Sequence, residues 1–291
     1  MTAFGVNATV HEHGWRRAWN SAAARLVDSD QPENFGADLL TSLQDVSAFT
    51  HAVFFGYPRE RRPVLLHHSF ARPERSASLV AYVRGTFLVD PFYDACLKGI
   101  AEGVHRMQDV APDDFYSSIG RHPGYISPCV SPEPGVLSEE IGFFARTRGG
   151  AYIVLSLMRD GVEPPFSEDE MDRFREVAPL VCAAMRLQYR DKVEVSSKDG
   201  NEAGWSFGEG DLNRVIAACA NGHVTPREAE VAALMLRGHS SGSVARELGI
   251  SVSTVKIHRR NLYDKFGVST QAAFFALILS RILEPPKERT T

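Results

Sequence analysis

At 291 residues, 44% hydrophobic and 23% charged, the chain is long enough for one large and one small domain, and its formal net charge of −4 argues against a generic nucleic-acid binder. No apolar run approaches the roughly 20 residues that a membrane helix needs, and Met1-Thr2-Ala3-Phe4-Gly5-Val6 is not a basic segment followed by an apolar one. Cys96, Cys129, Cys182 and Cys219 are dispersed without a Cys-x-x-Cys pair, so they read as buried small hydrophobes of a reducing compartment, and the cytoplasm is the expected location.

In chain order, Trp15, Trp19, Ala23 and Leu26 fall at helical spacing and predict a helix over 11–27. A second helix is expected over 35–49, kept apolar on one side by Leu39, Leu40, Leu43 and Val46. Segments 51–57 and 63–70 read as two strands joined by the basic turn Arg59-Glu60-Arg61-Arg62, a hairpin. Helix is expected again over 76–85, and Asp90-Pro91 has the form of an N-cap followed by proline at the first helical position. A strand over 103–107 precedes a Pro/Ser-rich loop ending near Pro134. Strands 139–148 and 152–159 then turn through Gly149-Gly150. Ser167-Glu168-Asp169-Glu170 opens a long helix reaching about Tyr189. Helices first, strands in the middle and a helix last suggest an α+β domain over 1–190, an antiparallel sheet flanked by helices of the GAF/PAS sort. The polar, Gly-rich stretch 191–210 is the linker, and 211–291 forms the second domain.

That second domain announces its helix ends locally. Thr225-Pro226-Arg227-Glu228 is a capping box, and the helix it starts carries Val231, Leu234 and Met235 inward and stops at Gly238. A short helix ends at Gly249-Ile250, and Ser251 caps the next, which runs to Phe266. Val255, Leu262 and Phe266 lie within about 40° of one another and form its inner face; Lys256, Ile257, Arg260 and Asn261 lie opposite. A lone exposed isoleucine is ordinary. Between two cations it also suits a thymine methyl, with Lys256 and Arg260 reaching guanine edges or phosphates. From His223 onward there are ten Lys/Arg against six Asp/Glu, a charge of +4, which leaves −8 for the remainder.

Residues 224–280 resemble the LuxR/NarL/FixJ-type four-helix DNA-binding domain through Thr225-Pro226-Arg227-Glu228, Gly238, Val244-Ala245, Leu248, Ile250-Ser251, Thr254-Val255-Lys256, His258, Lys265 and Gly267-Val268. The resemblance implies that Lys256, Ile257 and Arg260 face bases, that Ser253, Thr254, His258 and Lys265 meet or approach phosphates, and that Glu228 is structural. Ser241-Gly242-Ser243 stands where the family usually has Asn-Lys-Glu, so a backbone-contacting lysine is missing. More faintly, Tyr82 followed by Asp90-Pro91 resembles the Tyr…Asp-Pro pattern of autoinducer-binding domains. The tryptophan expected one helical turn before the tyrosine is Ser78, much too short to stand in for an indole.

Tyr82, Asp90, Phe54, Phe92, Tyr93, Phe115 and Phe143 are the candidate effector-binding residues, with Asp90 as polar anchor; Phe87, Tyr116, Tyr125 and Phe144 are further aromatics of the same stretch. Each has a plain alternative, the aromatics as core and Asp90 as a helix cap. His11-x-His13 and His67-His68 are poor metal pairs, because adjacent strand residues point to opposite faces. Cys129 lacks a helix start or flanking cation to activate it, and there is no glycine-rich phosphate loop, so neither an enzyme nor a cofactor is expected. A phosphorylated receiver is rejected, since its early strand and paired acidic residues are absent.

The expectation is a transcription regulator that binds operator DNA as a homodimer through its helix-turn-helix, controlled by a small molecule in the N-terminal domain. A protein partner as the signal, or an acyl-homoserine lactone in quorum sensing, are the alternatives. Ala273, Phe274, Leu277, Ile278 and Arg281 on the last helix either contribute a dimer contact or pack inward.

Overall fold

The computed structural model describes residues 5–27, 33–70, 73–116, 137–195, 211–220 and 222–283. Tyr125, Cys129 and most of the expected linker lie outside these residues, as do the side chains of His11 and His13. The N-terminal half runs α1 (Gly5–Val27), α2 (Phe35–Gln44), β1 (His51–Tyr57), β2 (Val64–His68), α3 (Pro73–Arg84), a 3-10 turn (Thr86–Val89), α4 (Pro91–Leu97), β3 (Gly103–Arg106), α5 (Met107–Val110), β4 (Leu137–Arg146), β5 (Tyr152–Asp160) and α6 (Glu168–Val195). The five strands form one antiparallel sheet in the order β2-β1-β5-β4-β3. This is the expected α+β architecture, although α6 continues to Val195 and so carries helix into the segment read as linker.

The central strands β1, β5 and β4 are buried on both faces, and the pleat sorts the sheet's aromatics between them. Phe54 and Phe143 both pair with Leu155, and this row joins the core beneath α1, α2 and α6. One residue along, Phe55 and Phe144 both pair with Val154 and face α3, the 3-10 turn and α4. At the sheet's end two buried arginines tie strands to the start of α6. Arg159 donates to Glu170 (2.6 Å) and to the Ala48 carbonyl (2.8 Å), while Arg106 pairs with Glu139 and reaches Glu168 at 2.9 Å.

Burial alone would raise the Glu170 carboxyl, but hydrogen bonds from Arg159, Ser47 and the Ser167 amide outweigh it and bring it down to about 2. A folded-state value below the unfolded one contributes stability above the unfolded value, and that contribution is lost as pH falls from about 4.5 toward 2. The free energy of unfolding, followed from pH 6 to 3, is expected to fall more steeply in the native chain than in Glu170→Gln; parallel curves would refute this.

The C-terminal half holds α7 (Asp211–Cys219), α8 (Pro226–Leu236), α9 (Ser241–Leu248), α10 (Val252–Phe266) and α11 (Gln271–Leu283). The four expected helices are α8 to α11; α7 is an additional one that packs on α8. Thr225 and Glu228 exchange both hydrogen bonds of the capping box, and α9 and α10 end at Gly249 and Gly267 in left-handed conformation. Phe274, Phe275 and Ile278 of α11 are buried within the chain, whereas Ala273 and Arg281 are exposed. Farther along, Ile282 lies against Gly85, where an added Cβ would stand 2.2 Å from its Cγ2. The apolar surface of α11 thus covers α3 and the 3-10 turn of the same chain.

Candidate DNA interface and effector site

Helix α10 presents the expected division. Val255 and Leu262 are buried, Phe266 meets Phe274 edge-on at 5.2 Å, and Lys256, Ile257, Arg260 and Asn261 are exposed. Ile257 is 59% exposed, and among the described residues neither Lys256 nor Arg260 has an ionic partner. The Ser251 hydroxyl caps α10 through the Thr254 amide (3.0 Å) and lies 2.7 Å from the hydroxyls of both Ser253 and Thr254. His258 is half-buried, its Nδ1 without a partner among the described residues.

Lys265 departs from this arrangement. Its ammonium lies 2.5 Å from the buried Glu228 carboxylate. Burial would raise Glu228, but hydrogen bonds from Lys265 and Thr225 hold it below its usual value. Lys265 therefore binds α10 to the capping box of α8. Arg259, which sequence reasoning passed over, does similar work. Half-buried, it donates to Ser241 (3.0 Å), Tyr263 and Gln271 (both 3.4 Å), joining α9, α10 and α11. A long cation beside exposed ones carries no sequence signal of that difference.

The aromatic candidates separate. Tyr82, Asp90, Phe92, Tyr93 and Phe115 share one core, whereas Phe54 and Phe143 lie across the sheet and cannot join them in one site. Asp90 caps α4 through the Phe92 amide (2.8 Å) and accepts the Tyr82 hydroxyl, which in turn lies 2.6 Å from that of Tyr57. Tyr82 is stacked on Phe55 with ring centroids 4.3 Å apart, and Ser78 is buried one turn before it. Tyr82 and Asp90 thus satisfy each other. Open space lies beyond Tyr57, in a cleft of about 290 Å³ lined by the end of β1, α4 and the β4–β5 turn.

Phe115 belongs to a contact between the two halves. Its Cα would stand 2.7 Å from a Cβ on Gly238, whose φ of +95° also favours glycine. Around it the Asp114 amide donates to the Gly238 carbonyl (3.0 Å), and Arg237 pairs with Asp94 (3.1 Å). Asp113 accepts from the Ser240 amide (2.9 Å) and hydroxyl (2.7 Å). Burial would raise Asp113, but these bonds, with His239 and Arg246 nearby, lower it. Ser240 is the N-cap of α9.

The profile of "Bacterial regulatory proteins, luxR family" matches residues 223–276, the span of the capping box, α8, α9, α10 and the first half of α11. The C-terminal domain is a luxR-family DNA-binding domain. A putative HTH-type transcriptional regulator of Aeromonas salmonicida is 28% identical over 197 residues, 68% of this chain and 96% of its own length. The monoamine regulon transcriptional regulator of Klebsiella aerogenes is 33% identical over 138 residues, 47% of this chain and 46% of its own. Among solved structures, the VqsR LBD domain of Pseudomonas aeruginosa is 21% identical, covers 60% of this chain and 97% of its own, and superposes with a TM-score of 0.48. These relatives are named as transcriptional regulators. No single helix among the described residues is long and apolar enough to cross a membrane.

Proposed function

We propose that this LuxR-type regulator binds operator DNA as a homodimer, with Lys256, Ile257 and Arg260 reading bases, and that a small molecule in the N-terminal domain governs how firmly that domain holds the DNA-binding domain. The observation that carries the reading is the Asp113–Ser240 contact. In a helix-turn-helix the helix before the recognition helix crosses the DNA backbone, and a helix N-terminus with free amides is a ready phosphate site. Here the carboxylate of Asp113 occupies the N-terminus of α9 while α10 stays exposed. Docking and full DNA engagement then compete for one group. An effector shifts the balance only by binding one placement of the domains more tightly than the other.

Ser253, Thr254 and His258 fit phosphate contacts at the edge of α10, whereas Lys265 is already committed to Glu228. The test is selection of binding sites from randomised DNA by the full chain, followed by Arg260→Ala on the selected site. Specific affinity is expected to fall by about 1–3 kcal/mol with the fold intact. Unchanged affinity would remove Arg260 from base readout, and selection of sites without two-fold symmetry would argue against the homodimer.

A further inference from the structure

The cleft between the end of β1, α4 and the β4–β5 turn has a composition that neither the Tyr82–Asp90 pair nor the DNA interface explains. Its wall is aromatic, formed by Tyr57, Tyr93 and Tyr152 with Leu97. Its mouth carries Arg59 and Arg146, and neither guanidinium has a carboxylate partner among the described residues, although Arg146 lies 5.8 Å from the centre of the Tyr152 ring. Tyr93 is 3% exposed, and no hydrogen-bond partner for its hydroxyl is found among the described residues. Tyr93 lines the cleft, and its hydroxyl can donate to an acceptor bound there. Burial pushes the Tyr93 hydroxyl up to about 12, so at neutral pH it is a donor.

The cleft's volume of about 290 Å³ stands at the lower end of the roughly 300–1,000 Å³ typical of small-molecule sites. That suits a one- or two-ring compound rather than a long acyl chain. Glu60 also lines the mouth, so the rim is net positive by one charge. Planar guanidinium forks match carboxylates in pairs of hydrogen bonds and stack on aromatic rings.

We infer that this cleft binds a small aromatic carboxylate, its ring among Tyr57, Tyr93 and Tyr152 and its carboxylate between Arg59 and Arg146. The inference rests on the sensor reading above and names its ligand class. The same element also offers the route by which occupancy is felt. Tyr93, Cys96 and Leu97 of α4 line the cleft, and the residue beside Tyr93 is Asp94, which holds Arg237 of the DNA-binding domain. A ligand that shifts α4 alters that grip.

The experiment is calorimetric titration of the full chain with benzoate, phenylacetate and indole-3-acetate, beside phenylacetamide, phenethylamine and an acyl-homoserine lactone. Operator affinity is measured with and without each compound. Saturable binding of at least one carboxylate is expected. It should weaken about tenfold or more in Arg59→Ala/Arg146→Ala, weaken several-fold in Tyr93→Phe, and stay unchanged in Arg148→Ala. No carboxylate binding, equal binding of phenylacetamide, or indifference to the arginine pair would overturn the inference. Binding of the amine alone would give the site to Glu60, and binding of the lactone alone would give the effector to Tyr82 and Asp90. Either result discards the aromatic acid and leaves the sensor reading standing. The sensor reading itself falls if bound compounds leave operator affinity unchanged.

Discussion

Replacing Arg106 with leucine lowers the stability of the N-terminal domain by about 3–5 kcal/mol, the cost of breaking a buried ion pair from one side. Side chains of Arg106 and Glu139 are 7% and 5% exposed. Arg106 also donates to the Phe166 carbonyl (2.7 Å) and to Glu168 (2.9 Å), so it joins β3 to β4 and to the entry of α6. Its loss leaves the Glu139 carboxylate buried and, among the described residues, bonded only by the Phe166 amide at 2.5 Å. At roughly 2–4 °C per kcal/mol for a domain of this size, the melting temperature drops on the order of 10 °C. Adding Glu139→Leu removes the stranded charge and restores part of the loss, since an apolar pair can replace a buried ion pair at little cost. Recovery stays incomplete because the Phe166 amide then lacks its acceptor. A melting temperature within 2–3 °C of the native chain for Arg106→Leu, about 1 kcal/mol, would show that the pair contributes little.

What was legible in the sequence is what is encoded locally. Thr225 and Glu228 are three residues apart, and the capping box forms as expected; Asp90 caps α4 two residues on; the inward and outward faces of α10 follow from spacing alone. Strand alternation is also present in the sequence, and by placing Phe54 and Phe143 on the opposite face from Phe55 and Phe144 it keeps the candidate aromatics from lining one pocket. The remaining differences concern pairs far apart in the chain. Lys265 finds Glu228, Arg237 finds Asp94, Ser240 finds Asp113 and Ile282 finds Gly85. Nothing in the spacing of either partner announces these contacts, because each depends on two elements being brought together by the fold. For the same reason the cleft beside Tyr57 was not foreseen: its lining comes from three segments between Tyr57 and Tyr152.

Freeing the DNA-binding domain from the sensor strengthens operator binding by the ligand-free chain. In Asp94→Ala/Asp113→Ala both substitutions fall on the sensor, so the DNA-contacting surface keeps its sequence. The first removes a mostly buried ion pair, with side chains 11% and 14% exposed. The second removes two hydrogen bonds from Asp113, whose side chain is 45% exposed and whose contribution is discounted accordingly. Together they weaken docking by about 2 kcal/mol, a factor of about 30. Apparent affinity scales with the fraction of molecules in the competent placement, so if docking dominates in the free chain the operator dissociation constant falls by about tenfold or more. A second variant holds this expectation to the contact itself. Gly238→Ala places a Cβ 2.7 Å from the Phe115 Cα and strains a φ of +95°, so it also opens the interface but weakens the end of α8. The gain in affinity should therefore be larger in the sensor-side pair than in Gly238→Ala, although both loosen docking. Operator affinity that is unchanged or weaker in a folded Asp94→Ala/Asp113→Ala chain would mean that the docked arrangement is compatible with DNA, and Asp113 would then be a structural cap for α9 rather than a competitor of phosphate.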